Sequence, residues 1–215
     1  MLYEQVLNEE VRARLGGVHS ADLLLRSYDF AVVEGLQASG DWDAAGRLLA
    51  ADAAAMVRAG ADAVVLCTNT MHRVADVIQA AIDVPLLHIA DPVVRAAHAA
   101  HVRSVALLGT RFTMEQPFLR ERLEAAGLRV LVPDEAGRRL VHDVIYDELV
   151  RGVVREESKH AVLDVVAALV ERGAGGLVSG CTEIELLIAP DDVDVPFFPT
   201  TRLHALAAVD FALGE

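Results

Sequence analysis

Four things are scarce in this 215-residue sequence: long apolar runs, aromatic side chains, cysteine and positive charge. No apolar stretch approaches the roughly 20 residues that a helix needs to cross a bilayer, and the opening Met1-Leu2-Tyr3-Glu4-Gln5-Val6 lacks the basic-then-apolar order of a secretory leader. A cytoplasmic setting is the expectation. Aromatics make up only 5% of residues while Ala, Val and Leu dominate, a balance that suits helices packed onto buried Val/Leu strands and disfavours an all-β sandwich. The formal charge of −13 repels phosphate at long range, so neither nucleic acid nor an anionic membrane is an expected partner. A small anion held at a local site is compatible with it. Cysteine occurs twice, and with no sign of export a structural disulfide is not expected in a reducing compartment. The question becomes what Cys67 and Cys181 are for.

What is present is a repeat. Residues 44–59 carry apolar positions at helical spacing, Gly60 follows as a stop, and a short apolar run from Ala63 to Leu66 ends at Cys67. Residues 159–172 repeat the helical pattern, Gly173-Ala174 makes the turn, and Gly176 to Ser179 leads to Gly180-Cys181. Cys67 is followed by Thr68, a helix-like stretch over 71–82, Asp83-Val84-Pro85 and the apolar Leu86-Leu87-His88-Ile89. Cys181 is followed by Thr182, a short helix, Asp194-Val195-Pro196 and Phe197-Phe198. The same order at nearly equal spacing reads as a duplication.

Alternating strands and helices predict an α/β fold: two pseudo-symmetric parallel-sheet domains meeting near residues 88–102, with both cysteines at C-terminal strand ends and the active site in the cleft between the domains. Residues 21–30 read as a strand of the first half, matched by 128–132 in the second. The strand over 102–108, which ends at Gly109-Thr110 and opens a helix, has no counterpart in the first half. There the sequence starts at a helix over residues 3–15, so the first domain is expected to lack its first strand and loop.

Two cysteines at equivalent places suit one reaction in particular. Removing the α-proton of an amino acid without an electron-withdrawing cofactor needs a close base, exclusion of water and stabilisation of the developing charge, and inversion needs an acid on the opposite face. A thiolate and a thiol supply both, each acting as base in one direction and acid in the other. A free thiol ionises near pH 8.5, so activation calls for a helix N-terminus or a cation, and both cysteines precede helical segments. Backbone N–H groups there, with Thr68, Asn69, Thr70 and Thr182, are candidates to hold an α-carboxylate. Gln37, Thr110 and Thr113 are further polar groups at expected loop or strand ends. Arg47 lies in a helical pattern and reads as a solvated charge; Arg111, just beyond Gly109-Thr110, is the better-placed cation, with a structural role as its alternative. A lone cysteine in an apolar strand is ordinarily a small buried hydrophobe, but two at repeated Cys-Thr positions favour catalysis. A metal site built from Cys67, His72, His88 and Cys181 matches no common zinc spacing, and no metal is expected.

At Cys67-Thr68-Asn69-Thr70-Met71-His72 and Gly180-Cys181-Thr182-Glu183-Ile184 the chain resembles the aspartate/glutamate racemase superfamily, closest to its broad-specificity and L-aspartate/glutamate-specific branches. The likeness continues through residues 14–20, 40–43, 87–91, 108–116 and 200–204. It implies a pyridoxal-independent two-base racemase of amino acids with no cofactor, usually a homodimer, in which Cys181 deprotonates the L-enantiomer and Cys67 the D-enantiomer. It also implies that a C-terminal helix over 200–215 returns to an N-terminal domain of residues 1–90, leaving 91–199 as the second domain. The run Arg155-Glu156-Glu157-Ser158-Lys159 is similar to a segment that approaches the site in the family, which makes Lys159 a candidate. Members of the family begin with a strand and a Gly-Gly-Met-type loop, the same element that the repeat finds missing. The alternatives are a sibling isomerase or decarboxylase on the same fold and an inactive, truncated binding protein.

Overall fold

The computed structural model describes residues 2–214. The chain forms two compact units, one comprising residues up to Cys67, Met71–His88 and Ala205 onward, the other Thr68–Thr70 and Ile89–His204.

The first unit contains α1 (Leu2–Leu15), α2 (Phe30–Ser39), α3 (Trp42–Arg58), β1 (Val64–Val65), α4 (Ala75–Gln79) and β2 (Leu86–Leu87). Tyr3, Val6, Leu7 and Val11 recur on one face of α1 and pack with Ala205, Ala208 and Val209. Ala45, Leu49 and Ala53 form the matching stripe of α3, packed with Val64, Met71 and Ile78. Asp41 starts α3 by accepting a hydrogen bond from the Ala44 amide at 3.0 Å. β1 and β2 pair in parallel, Val64 opposite Leu86 and Val65 opposite Leu87.

Residues 21–30 are not a strand. Residues 21–29 run as open chain and Phe30 already begins α2, whose cap is Asp29, accepting from the Ala31 amide at 3.1 Å. Among the described residues the sheet of this unit holds β1 and β2 alone, so no strand runs beside them to complete a ladder. Leu23, Leu24 and Leu25 accordingly remain 43–60% exposed. The expected helix over 71–82 is also broken, into a 3-10 turn at Thr70–Val74 and the five-residue α4. His72 and Val74, β-branched or aromatic, are weak helix formers at the junction.

The second unit contains α5 (Ala90–Ala99), β3 (Ser104–Gly109), α6 (Arg111–Glu115), α7 (Pro117–Ala125), β4 (Arg129–Leu131), α8 (Glu135–Asp143), α9 (Glu156–Glu171), β5 (Leu177–Gly180), α10 (Ile184–Leu187) and β6 (Phe197–Pro199). Its strands lie in the order β4-β3-β5-β6, every pair parallel. Val105 to Leu108 are fully buried because helices cover both faces. Ala106, Leu108 and Leu177 point to α8 and α9 through Val141, Val162 and Val166, while Val105, Leu107 and Val178 meet α5 and α7 through Val93, Leu119 and Leu123. The last helix, α11 (Thr200–Leu213), begins in this unit and continues in the first from Ala205. The α/β class with parallel sheets is therefore as the sequence predicts.

β3 and β5 end together at Gly109 opposite Gly180. A Cβ on either would stand 2.8 Å from a carbonyl of the other strand, so two glycines let the backbones close up just before Thr110 and Cys181.

Candidate active site

Cys67 follows β1 after one residue, Leu66, and its Sγ–H donates to the Val65 carbonyl at 3.6 Å. Its surface meets solvent, yet burial pushes the thiol up to about 12. Both facts hold for a side chain in a recess, wetted on one side and surrounded on the others. Downstream, buried His72 packs edge-on against buried His88 with ring centroids 4.4 Å apart. Among the described residues no three His, Cys, Asp or Glu side chains converge as metal ligands.

Cys181 follows β5 directly and is buried. Its Sγ–H donates to Glu183 Oε2 at 2.9 Å. Burial holds its pKa well above the ordinary thiol value, and the Glu183 carboxylate raises it further; the amides of Glu183 and Ile184 act the other way and are outweighed. Activation of the resting thiols by helix N-termini is thus corrected. α10 has four residues and the turn after Cys67 five, too short to build much of an axial dipole, so desolvation wins and both cysteines rest as neutral thiols at pH 7.

Polar residues of the second unit form two connected groups at the ends of β3, β5 and β6. Asn69 Nδ2 donates to Thr200 Oγ1 at 2.9 Å, and Thr200 Oγ1 donates to the Ser179 carbonyl at 2.7 Å. Ser179 Oγ in turn donates to the Cys181 carbonyl at 3.1 Å. Asn69 is 4% exposed, and its Oδ1 is buried with no hydrogen-bond partner. An orphaned buried carbonyl of this kind costs roughly 1–3 kcal/mol and is an acceptor waiting for a donor. In the second group the Thr70 and Thr113 hydroxyls each lie 3.3 Å from Thr110 Oγ1, which also caps α6 by accepting the Thr113 amide at 3.4 Å.

Thr182 receives the Thr201 hydroxyl at 3.5 Å, and the Thr201 amide donates to Glu185 Oε1 at 3.1 Å. Burial raises the Glu185 carboxyl to about 7.

The sequence-derived candidates thus have different settings. Thr70, Thr110 and Thr113 share one buried hydroxyl network, Thr113 at its fully buried end, and Asn69 belongs to the other group, with Thr200 and Ser179. Thr182 sits beside Cys181. Gln37, in α2, is buried and its Nε2 donates to Met71 Sδ at 3.0 Å. Lys159 Nζ pairs with Asp192 Oδ1 at 2.7 Å, which supplies its counter-charge. Arg111 lines a cavity bounded by α6, α7 and α8 that none of these residues lines. Sequence reasoning gave no role to Glu183, Glu185, Ser179, Thr200 or Thr201. Carboxylates two and four positions after Cys181 were the available signal for the first pair, and paired threonines directly after β6 for the last.

The sequence profile of the Asp/Glu/hydantoin racemase family matches residues 2–208. The structure superposes on that of a candidate Asp/Glu racemase from Yersinia pestis with a TM-score of 0.93 at 47% identity, covering 99% of this chain and 93% of that one. It superposes on an aspartate racemase homologue from Pyrococcus horikoshii with a TM-score of 0.85 at 30% identity, covering 98% and 92%. Glutamate racemase from Aquifex pyrophilus, at 19% identity with a TM-score of 0.64 over 96% and 79% of the two chains, shares the fold. With the profile spanning almost every residue and a relative at 47% identity, the chain belongs to the Asp/Glu/hydantoin racemase family, a family of racemases.

Proposed function

We propose that this enzyme racemises amino acids, aspartate and glutamate or a broader set, without pyridoxal phosphate, using Cys67 and Cys181 as paired acid and base. One observation carries the reading: a Cys-Thr pair follows a parallel strand in each unit, β1 in the first and β5 in the second. A decarboxylating sibling needs one thiol as proton donor, so the second cysteine favours racemisation.

The reaction requires the two sulfurs on opposite faces of the substrate α-carbon. Cys181 passes its proton to the Glu183 carboxylate along the 2.9 Å hydrogen bond and becomes a thiolate beside a neutral acid. The thiolate removes the α-proton of the L-enantiomer, and the Cys67 thiol gives a proton to the other face. The D-product leaves behind a Cys67 thiolate and a Cys181 thiol. The reverse reaction runs through the same steps with the cysteines exchanged, as the resemblance implies. Starting from neutral thiols makes substrate part of the activation, because the α-ammonium group brings a positive charge into a site where burial had disfavoured the anion. Asn69 Oδ1, an acceptor without a donor, suits that ammonium group, while backbone amides and the hydroxyls of Thr70 and Thr182 suit the α-carboxylate. Gln37, Thr68, Thr110 and Thr113 are assigned to shaping the pocket.

The single lysine of the sequence, Lys159, is tied to Asp192. A pyridoxal Schiff base needs a lysine amine, so this pairing supports the cofactor-free reading. The experiment is incubation of L-Asp, L-Glu and neutral L-amino acids with enzyme and no pyridoxal phosphate, followed by chiral analysis. D-enantiomer should form with the native enzyme and not with Cys67→Ser or Cys181→Ser; an unaffected rate in either variant contradicts the two-base reading.

A further inference from the structure

We propose that the second unit carries a binding site for an organic polyanion, separate from the cysteines, in the cavity between α6, α7, β4 and α8. The cavity measures about 860 Å³ and is lined by four arginines against three carboxylates. It therefore has a positive excess on a chain whose formal charge is −13. Such a volume holds a ligand larger than a bare ion.

The arginines are not equally engaged. Arg138 Nε pairs with Glu115 Oε1 at 3.1 Å, and its Nη1 donates to the Pro133 carbonyl at 2.7 Å. Arg139 Nη2 pairs with Glu135 Oε1 at 3.0 Å. These two have their counter-charges. Arg111 makes no ion pair among the described residues; its guanidinium lies 5.8 Å from the Phe112 ring. Arg120 approaches Glu124 only to 3.7 Å, and its Nε is buried without a hydrogen-bond partner. With Glu124 no closer than 3.7 Å the Arg120 charge is only partly compensated, and an oxyanion in the cavity supplies a second counter-charge.

His142 adds a third donor. Its Nδ1 accepts the Arg111 amide at 3.3 Å, which places the ring proton of the neutral tautomer on Nε2. Burial, and then the Arg111 charge, favour that neutral form. Arg111, Arg120 and His142 come from three different helices, so one ligand bearing at least two negative charges would tie α6, α7 and α8 together. Phosphate esters and polycarboxylates both present such oxygens, and a planar guanidinium accepts either in bidentate fashion.

The test is calorimetric titration of the full-length enzyme, at fixed ionic strength, with inorganic phosphate and separately with citrate, on the native protein, Arg111→Gln and Arg120→Gln. Saturable binding of at least one probe, weakened about tenfold or more in both variants as loss of a charged hydrogen bond implies, is the expected result. Phosphate alone identifies a phosphate-ester site, citrate alone a polycarboxylate site. Thermal unfolding checks that each variant folds, and the probe that binds should raise the unfolding midpoint of the native enzyme more than that of either variant. Racemisation by Arg120→Gln should match the native rate, since that residue is outside the amino-acid site. Equal binding by native enzyme and Arg120→Gln, or no saturation by either probe up to about 10 mM, overturns the proposal.

Discussion

In a Cys181→Ser variant Cys67 is the only thiol, and its reaction with iodoacetamide reads its ionisation directly. Burial moves the pKa of Cys67 from 9.0 to about 12, which at neutral pH lowers the thiolate fraction roughly a thousandfold relative to an exposed peptide thiol that ionises at 9.0. The more basic thiolate is also the better nucleophile. With a Brønsted slope of about 0.4–0.5, that gain returns about 16- to 30-fold. The net expectation is alkylation roughly thirty to sixty times slower than the peptide, despite a side chain that solvent reaches. The rate should also keep climbing about tenfold per pH unit through pH 9–10, where a free thiol levels off. Stopped-time alkylation with mass-spectrometric readout measures both. A rate within about threefold of the peptide, or a plateau near pH 9, would refute the recessed-thiol reasoning. It would also remove the need for substrate to take part in activation.

Glu183→Gln removes the anion hydrogen-bonded to Cys181 Sγ; in a Cys67→Ser background Cys181 should then alkylate faster, while in the otherwise native enzyme racemisation from the L-side should slow because the proton acceptor is gone. Glu185 is a carboxyl whose folded pKa, about 7, lies above its ordinary 4.5. Its contribution to stability is therefore full below about pH 4.5 and is lost as pH rises through 7. Thermal unfolding of Glu185→Gln, which keeps an acceptor for the Thr201 amide, should gain on the native protein between pH 5 and pH 8, and a constant difference would contradict the raised pKa. Gly180→Ala puts a Cβ 2.8 Å from the Leu108 carbonyl, and urea denaturation should show a loss of roughly 1–3 kcal/mol; no loss would mean that the strand ends are looser than described.

The parallel-sheet class and the family were readable because they rest on pattern: Gly-Ala, strand, Cys-Thr, helix and Asp-Val-Pro recur in order, and apolar spacing separates α3 and α9 from the buried runs at β1, β3 and β5. The open chain over residues 21–29 was misread for the opposite reason. Leu23-Leu24-Leu25 has the hydrophobicity of a strand, but a strand exists only against a neighbour, and hydrophobicity does not say whether one is there. The state of the thiols was equally hidden. Position before a helix suggested activation, whereas the outcome depended on how short those helices are and on a carboxylate two residues away turning back onto Cys181. Residues far apart in sequence, such as Asn69 with Thr200 or Arg111 with Arg120 and His142, meet only after folding, and no local spacing announces them.

The two-base claim is tested most directly by following L-aspartate in deuterated water at early times. If Cys181 removes the α-proton and Cys67 delivers a different one from solvent, the D-aspartate formed carries deuterium at Cα while unreacted L-aspartate keeps protium. D-aspartate that retains protium, or deuterium washing into the L-pool ahead of product, would show one group acting on one face and contradict the account.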